Sequence, residues 1–396
     1  MAIIGQIFPC VSHHTDGNRL EIRPRRSAPP ALGIGLRLIT LQSRRDFADC
    51  VSCPEVKLDP MSTTPGQTFA SEAATIRRED VVRRIEGRIP LYLEHPRLHE
   101  AMAFTSQSLR GMYHGNRLLN QIMNDRGRFV FGLYCLYLHA TPDENGVGLT
   151  LTRIVDLCES TGVCSRGRAK AILTLMRWGG YVDALPGSLN RRQRPLVPTD
   201  RLVREQVGRW RATIGGLALM DPLASRILDH LNDKAVFSAL MHNLGERYRA
   251  GFRPVHFAPR LHVLIERNGG AMLAFSLINA GAADDTYPPS RALAVPVAVL
   301  AREFDVSRAH VLKVLRESEE AGLISRVPGH HGSVLLLAPL KEGMARFFSA
   351  LFALLADSIH DTLEQMDLRQ NETPSSLSPA SARSPLGVGQ NPRSMI

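Results

Sequence analysis

Arg166, Arg168 and Lys170 stand within five residues of one another, directly after Ser165, and Arg177 follows two helical turns later. Cationic side chains at this density neutralise phosphates and displace their counterions. An arginine among them can also donate a fork of hydrogen bonds to guanine O6 and N7. Arg191, Arg192 and Arg194 form a second basic group within PGSLNRRQRP (186–195). A third, sparser set is Ser307, Arg308, His310 and Lys313, followed by Arg326. Other chemistries lack their residues. There is no GxxxxGK phosphate loop, no HExxH, and no GxGxxG after a strand. GIGLRL at 33–38 is an isolated glycine pair. Cys50-x-x-Cys53, with Cys10 and His13, has no compact second pair to complete a zinc site. His330 and His331 do not make a metal site alone, and Asp284 and Asp285 have no evident partner. No acid, base and nucleophile converge. The sequence therefore reads as a non-enzyme, with no catalytic residue, no metal and no cofactor.

The elements that position the first basic set run from Thr152 to Val182. Ile154, Val155 and Leu157 mark a short helix, and Ser160-Thr161-Gly162 a turn. Ser165 is an N-cap, because its hydroxyl can accept from the free amides of the next turn. Ala169, Ile172, Leu173 and Met176 repeat at helical spacing, so one face of the second helix is buried. Gly179-Gly180 ends it. Tyr181 to Leu185 then reads as a strand, 186–195 as a turn-rich basic tip, and Leu196-Val197 as the return strand.

Helix, turn, helix and basic-tipped hairpin follow in the order of a winged helix. Residues 149–200 resemble the winged-helix domain of MarR-type bacterial regulators. The resemblance implies that the second helix reads the major groove and that the hairpin lies against the backbone or minor groove. Double-stranded DNA is the implied partner.

The pattern occurs twice. A shift of 142 residues sets Ser165 on Ser307, Arg166 on Arg308, Ile172 on Val314, Leu173 on Leu315, Gly180 on Gly322 and Tyr181 on Leu323. Upstream of the serine the shift is 143, setting Leu157 on Leu300 and Val163 on Val306. A second hairpin follows: Ser325–Val327, a tip at 328–332, and SVLLLAP. An apolar helix precedes each motif, at Phe129–Ala140 and Ala271–Ala280. MarR-type proteins usually carry one winged helix and dimerise. Two in one chain suggest a pseudo-dimer and leave the family's dimer geometry and effector pocket without a counterpart.

Length and charge fit this reading. The 396 residues carry a net charge of +10, which favours a polyanionic partner. Residues 161–215 hold eleven basic side chains against three acidic ones, a net of +8. The equivalent 304–358 holds six of each. The first repeat is therefore the expected main DNA reader. No apolar run is long enough for a bilayer span, and Cys135, Cys158 and Cys164 read as small hydrophobes in a reducing cytoplasm.

The expected fold is mainly α with small β-hairpin wings, as two tandem winged-helix domains joined and flanked by helices. The expected segments are a disordered or mis-assigned extension (1–74), a helical lead plus first winged helix (75–222), a helical connector plus second winged helix (223–370), and a disordered tail (371–396). Met61 reads like a natural start, and residues 1–60 resemble an arm or translated upstream sequence. Within 75–126, Pro90 and Pro96 are expected to interrupt the charged helix, and Leu98 to Met123 to form another. The apolar stripe of 341–363 suggests either core or a homodimer through the terminal helices. The sequence names no small-molecule effector. The leading expectation is a cytoplasmic, sequence-specific transcriptional regulator. The alternatives are a plasmid-type replication initiator with tandem winged helices and a non-catalytic interaction scaffold.

Overall fold

The computed structural model describes residues 65–113, 126–185, 195–327 and 332–372, with side chains from residue 78 onward except 126–128 and 367–372. The described chain is mainly helical with two small antiparallel sheets. Helices α1 (Pro65–Leu93), α2 (Leu98–Tyr113) and α3 (Arg126–Ala140) lead into the pair α4 (Leu151–Ser160) and α5 (Arg166–Trp178), then strands β1 (Val182–Ala184) and β2 (Leu196–Pro198). Helices α6 (Asp200–Leu217), α7 (Pro222–His230), α8 (Lys234–Arg249), α9 (His262–Ile265) and α10 (Gly270–Ile278) connect to β3 (Leu293–Ala294). The pair α11 (Val297–Glu303) and α12 (Arg308–Glu320), strands β4 (Ile324–Arg326) and β5 (Ser333–Leu336), and the long α13 (Ala338–Glu372) complete it.

The two helix pairs are built alike, bond for bond. The Ser165 hydroxyl accepts from the Arg168 amide at 3.4 Å, and that of Ser307 from the His310 amide at 3.0 Å. Both second helices bury the expected stripe: Ala169, Ile172, Leu173 and Met176 in α5; Val311, Val314, Leu315 and Ser318 in α12. Both end in a glycine at φ 69°, Gly180 and Gly322, a conformation that favours glycine. The next amide then reaches back, Tyr181 N to Met176 O and Leu323 N to Ser318 O, each at 2.9 Å. In the turns, Gly162 (φ 64°) and Asp305 (φ 52°) occupy the same place in the 143-residue shift.

The sheets differ by one strand. In the second copy β5 lies between β3 and β4, with Leu293 opposite Val334 and Ile324 opposite Leu336. In the first, β1 pairs β2 alone, Val182 opposite Pro198, and the third strand is reduced to one bond from Leu196 N to Leu149 O at 2.8 Å.

Several expectations are corrected. Pro90 does not break α1, because it falls in the last turn, where one lost amide removes a single helical bond. Pro96 lies in the turn before α2, which ends at Tyr113; the rest of the expected helix to Met123 lies outside the described residues. The strand expected at Tyr181–Leu185 is only Val182–Ala184. The 222/223 boundary is not a gap in packing. The described residues belong to one compact unit with one apolar core running from Ile85 to Ile359. Helix α3 packs on α8, and α13 packs on α1, α7 and α8, so each half closes the other's core. Met344, Phe348, Leu354, Leu355 and Ile359 of α13 are buried inside the chain, so most of this stripe is core, while Phe347 and Leu351 are half-buried. The expected extension and tail lie largely outside the described residues, although α1 already begins at Pro65. No helix among the described residues is long and apolar enough to cross a membrane.

Candidate nucleic-acid interface

Helix α5 turns its buried stripe toward α4 and leaves the opposite side open. Gly167, Lys170, Ala171, Thr174, Arg177 and Trp178 share that open face. Small residues alternate with cations there, so a flat polyanion can approach the helix closely. Trp178 is 74% exposed at the far end. Sequence reasoning missed it, and the available signal was its position two residues past the end of the Ala169–Met176 stripe.

The basic residues do not all serve that face. Arg166 turns back to α4, where its Nη1 meets Asp156 Oδ1 at 2.8 Å and Glu159 Oε2 at 2.7 Å. Its hydrogen bonds to the carboxylates of Glu159 and Asp156 raise its already high pKa. Ser165 is engaged as a cap, so its hydroxyl supports the helix rather than facing outward. Arg168 is exposed beside the cap. Lys170 and Arg177 are exposed and pair with no acid among the described residues. Arg191, Arg192 and Arg194 lie outside the described residues.

In the second copy three of the cations have acidic neighbours. Lys313 faces Glu317 at 3.8 Å, Arg316 faces Glu320 at 3.9 Å, and Arg326 faces Glu319 at 3.0 Å. A ring nitrogen of His310, Nε2, lies 2.8 Å from the carbonyl of Asn268. Arg308 is exposed, Ser307 is the cap, and Leu312 is 52% exposed on the outer face of α12. The outer face of α5 thus keeps Lys170 and Arg177 without acidic partners among the described residues, whereas on α12 Lys313 and Arg316 each face a glutamate and Arg308 does not.

The thiols near the turn of the first pair are quiet. A hydrogen bond with Cys164 and burial both push the Cys158 thiol up, and burial alone does so for Cys135. Protonated thiols are poor nucleophiles and poor metal ligands. The one group of potential metal ligands among the described residues is His360, Asp361 and Glu364 on α13, where Asp361 is already engaged by Arg84 and Arg247.

The chain matches no family model, no curated protein and no solved structure.

Proposed function

We propose that this chain is a sequence-specific DNA-binding transcriptional regulator built on two winged helices, with the first as the main reader. One observation carries the proposal: the capped helix α5 presents Lys170 and Arg177 without acidic partners on the face opposite its buried stripe. The second winged helix has the fuller sheet, with strand order β3-β5-β4, but Lys313, Arg316 and Arg326 each face one of its own glutamates. It positions the unit or takes up weaker contacts. Such a regulator works in the cytoplasm and needs no cofactor.

The test is affinity for duplex DNA as a function of salt, on fragments selected from genomic DNA by the full chain. Lys170→Ala with Arg177→Ala removes two phosphate contacts. The slope of log K against log salt should become shallower by about two, with a loss of about tenfold or more near physiological salt. An unchanged slope would show that α5 is not the DNA face. Freeing Arg166 is a complementary test. Asp156→Asn with Glu159→Gln removes both of its acidic partners and two negative charges beside the helix. Binding should tighten, and the slope should steepen by about one; weaker binding would assign these acids a part in the interface itself.

One compact unit carrying two helix pairs also suits a replication initiator that spans repeated sites. Fragment selection separates the two readings. Promoter fragments support the regulator, and a single cluster of repeats supports the initiator.

A further inference from the structure

A cavity of about 120 Å³ lies where α2, α3, α6, α10 and α13 converge. Its wall is mostly apolar, from Phe129, Met272, Phe275, Phe347 and Leu351 among others. Two guanidinium groups reach it, and they differ in one respect. Arg253 is occupied: its Nη1 donates to the Phe252 carbonyl at 2.8 Å and to that of Tyr248, and its Nη2 to the Thr161 carbonyl at 3.2 Å. Arg209, on α6, is only 8% exposed and faces no carboxylate among the described residues. Its guanidinium instead lies over two rings, 4.6 Å from the Phe129 centroid and 5.1 Å from that of Tyr113. Burial pushes its pKa down to about 10.

A buried cation without an acid is expensive, and ring faces replace only part of its hydration. The guanidinium is answered by one chemical group, an anionic oxygen pair that takes its fork. The rest of the wall requires an apolar body. Dry cavities of comparable size accept one benzene-sized ring.

We propose that this cavity binds a small monocarboxylate with an apolar body the size of one aromatic ring, its carboxylate held by Arg209. A phosphate dianion would bring a second charge that no further unoccupied cation among the described residues of the wall answers. A neutral ring would leave Arg209 as it stands. Arg253 connects the wall to the carbonyl of Thr161, in the turn between α4 and α5, so an occupant sits one side chain from the first helix pair.

The test is thermal unfolding and titration calorimetry of the full chain without DNA, so the outcome is independent of how the helix pairs are used. The probe is phenylacetate, with phenylacetamide as the neutral isostere and acetate as the control for surface anions. Phenylacetate at about 10 mM should raise the melting temperature, and its affinity should exceed that of the amide by about tenfold or more. Arg209→Met should abolish the response to phenylacetate, and Arg209→Lys should retain a weakened one. Equal responses to the acid and the amide, a response to acetate as large as to phenylacetate, no binding at all, or an undiminished response in Arg209→Met would each overturn the proposal. If Arg209→Met does not fold, the comparison of acid, amide and acetate on the unaltered chain decides.

Discussion

Asp357→Ala should destabilise the chain by about 3–5 kcal/mol, because it strands a buried charge. Asp357 is 1% exposed, and its carboxylate accepts three hydrogen bonds from two arginines. Arg84 of α1 gives Nε at 2.7 Å and Nη2 at 2.9 Å, while Arg247 of α8 gives Nε at 2.9 Å. Arg247 is itself only 3% exposed, and its remaining partners are Asp361 and the carbonyls of Asn243 and Asp357. Removing the carboxylate therefore releases the half-exposed Arg84 to water at little cost but leaves Arg247 in the core with one acid instead of two. The site joins α1 and α13, from opposite ends of the described chain, to α8 between them. Asp357→Asn should fall between the parent and the alanine variant, since it keeps an acceptor but not the charge. The measurement is the urea midpoint, with an unchanged m-value showing that stability alone has moved. The paired replacement Arg247→Met with Asp357→Leu should recover much of the loss, because an apolar pair of similar volume avoids the desolvation of two ions. A loss below about 1 kcal/mol in Asp357→Ala would mean that water reaches Arg247 and that the clamp is a surface feature.

The contrast between these acids and the serine caps shows which parts of the molecule were legible. Ser165, Ser307, the four-residue stripes and the closing glycines act within about one or two turns of themselves. Their roles follow from spacing, and the 142-residue shift carried each onto its counterpart with the same hydrogen bonds. Asp357 and Arg84 are 273 residues apart. In the sequence each is one more charge on an amphipathic helix, and only the packing of α13 against α1 makes them partners. The same limit affected the apolar stripe of α13, which looks alike whether it faces its own chain or another copy.

Charge counting was affected most. The eleven basic residues of 161–215 imply a uniformly electropositive surface. In the folded chain Arg209 is buried in the cavity wall, and Arg166 is tied to Asp156 and Glu159. Arg201 donates to the Gly179 carbonyl and stacks on Tyr181, while Arg211 donates to Leu228 and Asn232. The helix-end carbonyls and neighbouring acids that engage these arginines leave a smaller, more directional set on α5. That directionality gives one face of one helix the role that composition had spread over a whole domain.

Gly216→Ala should cost about 3 kcal/mol, whereas the same change at its neighbour Gly215 should be close to neutral. Helix propensity alone predicts a gain for both, of up to about 1 kcal/mol for replacing a helical glycine, here in the last turn of α6. The difference lies in what a methyl group would meet. At Gly216 it would stand 2.8 Å from the Ala101 carbonyl oxygen and overlap Thr105 Oγ1, on the facing side of α2. A backbone carbonyl cannot rotate away, so α2 and α6 would have to separate along their contact, as in an overpacked core. At Gly215 the nearest atom is Phe104 Cε1 at 2.7 Å, the far end of a side chain that is 45% exposed and able to swing outward. Thermal unfolding of the two single variants tests this directly, and equal effects would mean that the α2–α6 spacing is looser than the structure has it. The consequence reaches beyond stability. Helix α6 follows directly from β2 of the first hairpin, and it carries Arg209 and Trp210 into the cavity. A shift of α6 away from α2 would displace the hairpin and the anion-facing wall together. A Gly216→Ala chain that remains folded should therefore lose affinity for both DNA and phenylacetate, while Gly215→Ala retains both.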